Sequence, residues 1–250
     1  MISRLLYSDN RTSHLWRKLK WLRAYLIEAP WYFIYYRLLP RLQLLMSFRN
    51  DGYLKQALAA KGLTNVDELR HLYRLATKTR DGCIVEIGSY CGRSTIALGL
   101  GSMASRGLPV FAIDPHEQFD SQFGLRFDEE SRDEFLKNME DAGTDHIVTL
   151  INQRSENCCK TWTRDIGLLF IDGDHHYEAV KRDFLGWERF VKTGGKIILH
   201  DTADESLGPG RVVAEALKTG RFKCLLQTKG VFIGTHRTCG ITVLGKLSAA

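Results

Sequence analysis

The sequence contains no Cys-x-x-Cys pair; its six cysteines (Cys83, Cys91, Cys158, Cys159, Cys224 and Cys239) are scattered. Zinc sites built from thiolates draw their ligands from closely spaced pairs, so no such site is expected. Isolated thiols fit a reducing compartment, and the expected location is cytoplasmic. A long apolar run is also missing. The longest, around Pro30–Leu45, is broken by Arg37, Pro40 and Arg41, whereas a membrane-spanning helix needs ~20 mostly apolar residues. The first basic residues are not followed by a clean apolar block and a small-residue cleavage site, so no secretory leader is expected. There is no internal repeat and no low-complexity tract.

What charge there is lies unevenly. The formal net charge is +6, yet residues 1–50 hold nine Lys and Arg against only Asp9 and Glu28. That arm carries +7 and the rest of the chain −1. Trp16, Trp21, Trp31, Tyr32, Phe33, Tyr35 and Tyr36 are interleaved with the arm's basic residues. Such an arm (residues 1–50, read as helical) could pack on the body, join a second copy in a homo-oligomer, or lie peripherally on a membrane through residues 15–45. Nucleic acid is disfavoured as a partner, because no RNA-binding motif accompanies the basic patch.

Residues 51–80 read as a helical lead-in, with Leu54 and Leu58, then Leu69, Leu72 and Leu75, at helical spacing on either side of Lys61-Gly62. Residues 81–250 alternate short apolar runs with amphipathic ones. The expected strands are Cys83–Gly88, Val110–Asp114, His146–Ile151, Gly167–Asp172 and Lys196–Asp201. Strands apolar throughout are buried on both faces, which predicts a doubly wound α/β domain with a mostly parallel sheet. Phe222–Thr228 and Val231–His236, separated by Lys229-Gly230, are expected to form a terminal antiparallel hairpin.

The run from Ile84 to Thr95 is the most informative. A strand enters Glu86 and Gly88, and a loop closes at Gly92 before a helical run from Ser94. This turn lacks the Gly-x-Gly-x-x-Gly of dinucleotide sites and places an acid two residues before its first glycine. A carboxylate there welcomes an ammonium or a ribose hydroxyl and repels a pyrophosphate. Asp114, ending the second strand, can bind ribose hydroxyls or cap a helix after Pro115.

The second cluster follows Leu168-Leu-Phe-Ile. Asp172, Asp174, His175 and His176 stand at the same sheet edge as Glu86 and Asp114. Asp172 and Asp201 end neighbouring strands, and such oxygen donors suit Mg²⁺ or another divalent cation. His175 can act as a general base, since histidine is the side chain whose ordinary pKa lies near working pH. Asp174 can equally cap the following helix, and His176 can be an exposed turn residue.

On Glu86-Ile-Gly-Ser-Tyr-Cys-Gly-Arg-Ser, Ala112-Ile-Asp-Pro, Phe170-Ile-Asp-Gly-Asp-His-His-Tyr-Glu-Ala-Val, Gly194-Gly195 and His200-Asp-Thr, the chain resembles the class I S-adenosylmethionine-dependent methyltransferases. It looks most like the bacterial branch with macrolide-sugar O-methyltransferases and cephalosporin-biosynthesis proteins. The resemblance spans about residues 80–237. It implies a seven-stranded Rossmann-like sheet and S-adenosylmethionine as cofactor. Glu86, Gly88, Ser89, Gly92 and Ser94 would hold its methionine end, Asp114 its ribose, with Ser155 near the adenine. It further implies Asp172 and Asp201 as metal ligands and His175 as base. Metal-dependent relatives often carry Asn after the second aspartate or an acid before it; here Thr202 and His200 stand there, and the third ligand is left open. The expected activity is O-methylation of a small-molecule hydroxyl, on a sugar or secondary metabolite. A cofactor-binding scaffold without turnover, tethered by the arm, is the alternative; a nicotinamide oxidoreductase is disfavoured by the missing fingerprint.

Overall fold

The computed structural model describes residues 52–117, 119–120, 126–203, 207–229, 231–233, 236–238 and 240–248. The basic arm expected at 1–50 lies outside the described residues. Two helices open the described chain, α1 (Gly52–Ala59) and α2 (Val66–Lys78). Asn65 starts α2 with a capping box: its side chain accepts from the Asp67 and Glu68 N–H groups at 3.0 Å, and Glu68 accepts from the Asn65 N–H at 2.9 Å. Leu69, Leu72 and Ala76 then fall on one buried face.

There follow β1 (Cys83–Ile87), α3 (Arg93–Met103), β2 (Val110–Ile113), the two-residue strands β3 (Phe119–Asp120) and β4 (Arg126–Phe127), and α4 (Glu129–Asp141). Next come β5 (Val148–Ile151), α5 (Ser155–Thr161), β6 (Ile166–Ile171), α6 (Tyr177–Trp187), a 3₁₀ turn at Glu188–Phe190, and β7 (Val191–Leu199). The chain ends with α7 (Gly208–Lys218), β8 (Phe222–Gln227), β9 (Val231–Ile233), β10 (His236–Thr238) and β11 (Thr242–Lys246).

Seven strands form one sheet in the order β5-β2-β1-β6-β7-β11-β8. The first five run parallel, and β11 runs antiparallel to both its neighbours. Helices cover both faces, which is why the parallel strands read apolar throughout. Ile84, Leu168, Phe170 and Ile198 pack with Leu54, Leu69, Ile96 and Phe135 of α1–α4. Cys83, Val85 and Ile87 face Phe184 and Trp187 of α6 and Val212 of α7. Among the described residues no helix is long and apolar enough to cross a membrane.

Helices α2 and α3 approach closely at Gly101, where a Cβ would stand 2.5 Å from the Tyr73 carbonyl oxygen. Gly101→Ala is therefore expected to lower stability by about 1–3 kcal/mol, since packed helices cannot separate without losing contacts elsewhere. The urea midpoint reads this directly; an unmoved midpoint would mean the pair separates freely.

Three expectations are corrected. Phe222–Gln227 does not pair with Val231–Ile233; it pairs with β11, while β9 pairs with β10. The reason is burial: Ile241, Val243 and Leu244 are apolar enough to sit inside the sheet between β7 and β8. Strand β7 begins at Val191 rather than Lys196. The register of β7 against β6 shifts between Ile166 and Leu168, so Gly194 and Gly195 lie within the strand as an irregularity. Strand β5 starts at Val148 rather than His146.

The chain runs β1, β2, β5 toward one side of the sheet, then β6, β7 toward the other. Strand order thus reverses between β1 and β6. Open sheets bind ligands beyond the carboxyl ends of their strands at such a reversal, and Glu86 and Asp172 stand there on adjacent strands.

Candidate active site

Glu86 lies in β1 on the α3 side of the sheet and is 0% exposed. The Thr95 hydroxyl donates to its Oε2, and Oε1 has no aligned donor. Burial pushes its carboxyl up to about 8, against the stabilising hydroxyls of Ser94 and Thr95, with Asp172 and Asp114 raising it further. A cation beside this loop would supply the missing partner and favour the ionised form. Gly88 takes a φ of +83°, and a Cβ there would meet the Asp172 carbonyl oxygen at 2.3 Å. Only glycine allows the ends of β1 and β6 to come so close. Gly92 serves as N-cap of α3, and Ser94 is buried in its first turn.

Asp114 fastens this loop. Its Oδ2 accepts from the Ser89 and Tyr90 N–H groups at 2.9 Å, and its Oδ1 from the His116 N–H at 2.9 Å. Residues 115–117 are not helical, so the helix-cap alternative for Asp114 is set aside. The Ser89 hydroxyl is buried beside it without a partner. Ser155 begins α5, but its hydroxyl donates to Asp183, so it is committed to the α5–α6 contact. Burial pushes Asp183 up to about 6 despite that bond.

At the ends of β6 and β7 the expected polar groups come together. Donor atoms of Asp172, His175 and Asp201 all lie within 4.8 Å of one another, and His175 Nε2 stands 3.2 Å from Asp201 Oδ2. Asp201 takes a φ of +53°, a sparsely populated conformation for a side-chain-bearing residue and one found at constrained sites. Asp174 and His176 are not part of this group. Asp174 Oδ1 accepts from the N–H of His176 at 2.9 Å, and His176, the N-cap of α6, is exposed. Asp174 therefore holds the turn before α6 rather than the helix amides.

Two further residues complete the group, and the sequence assigned a role to neither. His200, 3% exposed, places Nδ1 at 3.0 Å from Asp172 Oδ1 and 3.3 Å from Asp201 Oδ2, without an aligned hydrogen bond to either. Its Nε2 meets Glu68 Oε2 at 3.1 Å. Glu68, 2% exposed, also accepts from the Gly240 N–H at 2.8 Å. Burial opposes charge on His200, but the carboxylates of Asp172, Asp201 and Glu68 outweigh it and hold its pKa well above that of a free histidine. Burial likewise pushes Asp172 up, with the His200 cation pulling the other way. The position of His200 directly before Asp201 was its only signal in the sequence. Glu68 gave none.

Two carboxylates and a histidine within one small volume are a donor set that fits a divalent cation. A buried carboxyl lacking a partner on Oε1, beside a buried unpartnered Ser89 hydroxyl, fits a cationic, hydrogen-bonding ligand at the glycine loop.

Residues 85–202 match a family model described as a methyltransferase domain. Among solved structures, the chain is similar to an O-methyltransferase from Bacillus cereus in complex with S-adenosylhomocysteine, at 18% identity and a TM-score of 0.62, covering 84% of this chain and 98% of that one. It is similar to TomG, an O-methyltransferase from Streptomyces achromogenes involved in tomaymycin synthesis and solved with S-adenosylmethionine, at 15% identity and a TM-score of 0.60, covering 88% and 99%. An rRNA methylase from Streptococcus thermophilus shares 16% identity at a TM-score of 0.52, covering 75% and 100%. Identities this low establish a common fold, and a fold shared by proteins so named does not choose the acceptor. The sheet reversal and the glycine loop fall within the stretch, residues 85–202, that matches the methyltransferase-domain model, and the chain shares the fold of these methyltransferases.

Proposed function

We propose that the protein transfers the methyl group of S-adenosylmethionine to a hydroxyl of a small molecule, a sugar or secondary metabolite. The observation that carries this reading is the convergence of Asp172, His175 and Asp201 one strand away from Glu86. The Glu86 loop would receive the cationic methionine end, its free Oε1 and the Ser89 hydroxyl providing acceptors. Asp114, with three of its roughly four acceptor positions filled by loop amides, sets the loop's shape and keeps one position for a ribose hydroxyl.

On the acceptor side, His175 Nε2 would take the hydroxyl proton as the oxygen attacks the sulfonium methyl. The new O–C bond forms as the C–S bond breaks, giving a methyl ether, S-adenosylhomocysteine and a proton on His175. Asp201 Oδ2, 3.2 Å away, stabilises the imidazolium so formed. Asp172 and Asp201 would hold a divalent cation, whose chemistry there is to lower the pKa of the hydroxyl and orient its oxygen. Otherwise the protein acts by positioning two reactants in line.

Titration with S-adenosylhomocysteine, followed by methyl-transfer assays on a panel of hydroxyl compounds, tests the reading. His175→Ala is expected to lower turnover by about 10²–10⁴-fold while leaving cofactor affinity within a factor of about two, and raising the pH should partly restore the rate. Binding without turnover on any acceptor would favour a scaffold; full activity of His175→Ala would remove the base.

A further inference from the structure

We propose that the third ligand of the cation site is His200 Nδ1, making it a nitrogen-and-oxygen site for a transition metal such as Zn²⁺ or Fe²⁺ rather than an all-oxygen site for Mg²⁺. This rests on the metal-assisted reading above and names the metal's class and its missing ligand.

Three observations converge. First, His200 Nδ1 is a buried polar atom without an aligned partner, and the groups it faces are the two carboxylates expected to hold metal. Second, the spacings suit a coordination shell. Ligands at ~2.1 Å from one ion, set at angles between square and tetrahedral, stand roughly 3.0–3.4 Å apart. Nδ1 lies 3.0 Å from Asp172 Oδ1 and 3.3 Å from Asp201 Oδ2. Third, the far side of the ring is held as metal-bound histidines are held. Nε2 bonds to Glu68, fixing the ring so that Nδ1 faces inward. Glu68 is itself braced by the Asn65 and Gly240 amides, so this orientation is built into the junction of α2 with the sheet.

Positive charge belongs at this spot in either case. Two carboxylates converge on it, and a proton on Nδ1 or a metal ion bonded to Nδ1 both supply it. His175 is placed differently. Its side chain is 38% exposed and touches only Asp201 of the two carboxylates, which leaves Nε2 for the acceptor's proton. An imidazole donor shifts preference from hard Mg²⁺ toward borderline metals.

The test uses the whole protein saturated with S-adenosylhomocysteine and titrated with Zn²⁺ or Mg²⁺. Long-range ¹H–¹⁵N spectra of the histidine rings provide the readout, with His175→Ala and His200→Ala assigning the signals. The expected result is one Zn²⁺ per chain, a shift of the His200 Nδ1 resonance on binding, and ring nitrogens of His175 that stay put. Glu68→Gln is expected to weaken Zn²⁺ by about 10–100-fold, and His200→Glu to raise Mg²⁺ affinity at least about tenfold relative to Zn²⁺. Zn²⁺ that moves His175 and leaves His200 unchanged would overturn the proposal. So would a protein that binds S-adenosylhomocysteine but no metal, with His200 protonated on both nitrogens throughout. Loss of S-adenosylhomocysteine binding would instead sink the cofactor reading beneath it.

Discussion

Glu68→Ala is expected to destabilise the protein by about 3–5 kcal/mol, the usual loss when one partner of a buried charged pair is removed and the other remains. The carboxylate accepts from three donors at once: the Asn65 N–H at 2.9 Å, His200 Nε2 at 3.1 Å and the Gly240 N–H at 2.8 Å. At 2% exposure, no water replaces it easily. The variant loses the reciprocal half of the α2 capping box, the brace before β11, and the counter-charge of a buried histidine. Chemical denaturation measures the loss. Glu68→Gln, which keeps one acceptor oxygen, should lie between the two proteins. A Glu68→Ala midpoint within about 1 kcal/mol of wild type would mean that this strut between α2 and the sheet edge bears little of the fold.

The second large effect depends on pH. Burial holds the Glu86 carboxyl at about 8 in the folded protein, against an ordinary value of 4.5. Below the unfolded value both states carry the proton, and the group contributes no pH dependence. As pH climbs toward 8, the unfolded carboxyl ionises while the folded one keeps its proton. Stability therefore falls across that window, by roughly 3–5 kcal/mol in all. Glu86→Gln, neutral at every pH, should escape this decline. Its melting temperature is expected to match wild type near pH 4.5 and to exceed it increasingly up to pH 8. The same variant should bind S-adenosylmethionine at least about tenfold more weakly, because a cationic ligand loses its charged partner. Parallel pH profiles of the two proteins, with no growing gap, would mean that Glu86 is ionised in the free fold.

Both effects come from acids that the fold removes from water, and neither burial is written in local sequence. Glu86 stood out because an acid interrupts an apolar strand two residues before a glycine turn. Asp172, His175 and Asp201 stood out because each follows the end of a buried strand, where a parallel sheet gathers its ligands. Their grouping within 4.8 Å follows from β6 and β7 being neighbours. Asp114 was legible as a site residue, but its work in holding the Ser89 and Tyr90 amides was not, since those bonds cross from β2 to the loop after β1.

Sequence alone determined the parallel core, because strands covered on both faces must be apolar at every position. It also determined the glycine turn, because few other residues tolerate that backbone, and the strand-end placement of the acids. Tertiary structure decided which distant groups meet. Glu68 reaches His200 across 132 positions, and no periodicity records such a contact. The same holds for the pairing of β8, given to β11 rather than to its nearest neighbour in sequence. A strand's partner is chosen by where its apolar face finds cover, and that is a property of the assembled sheet.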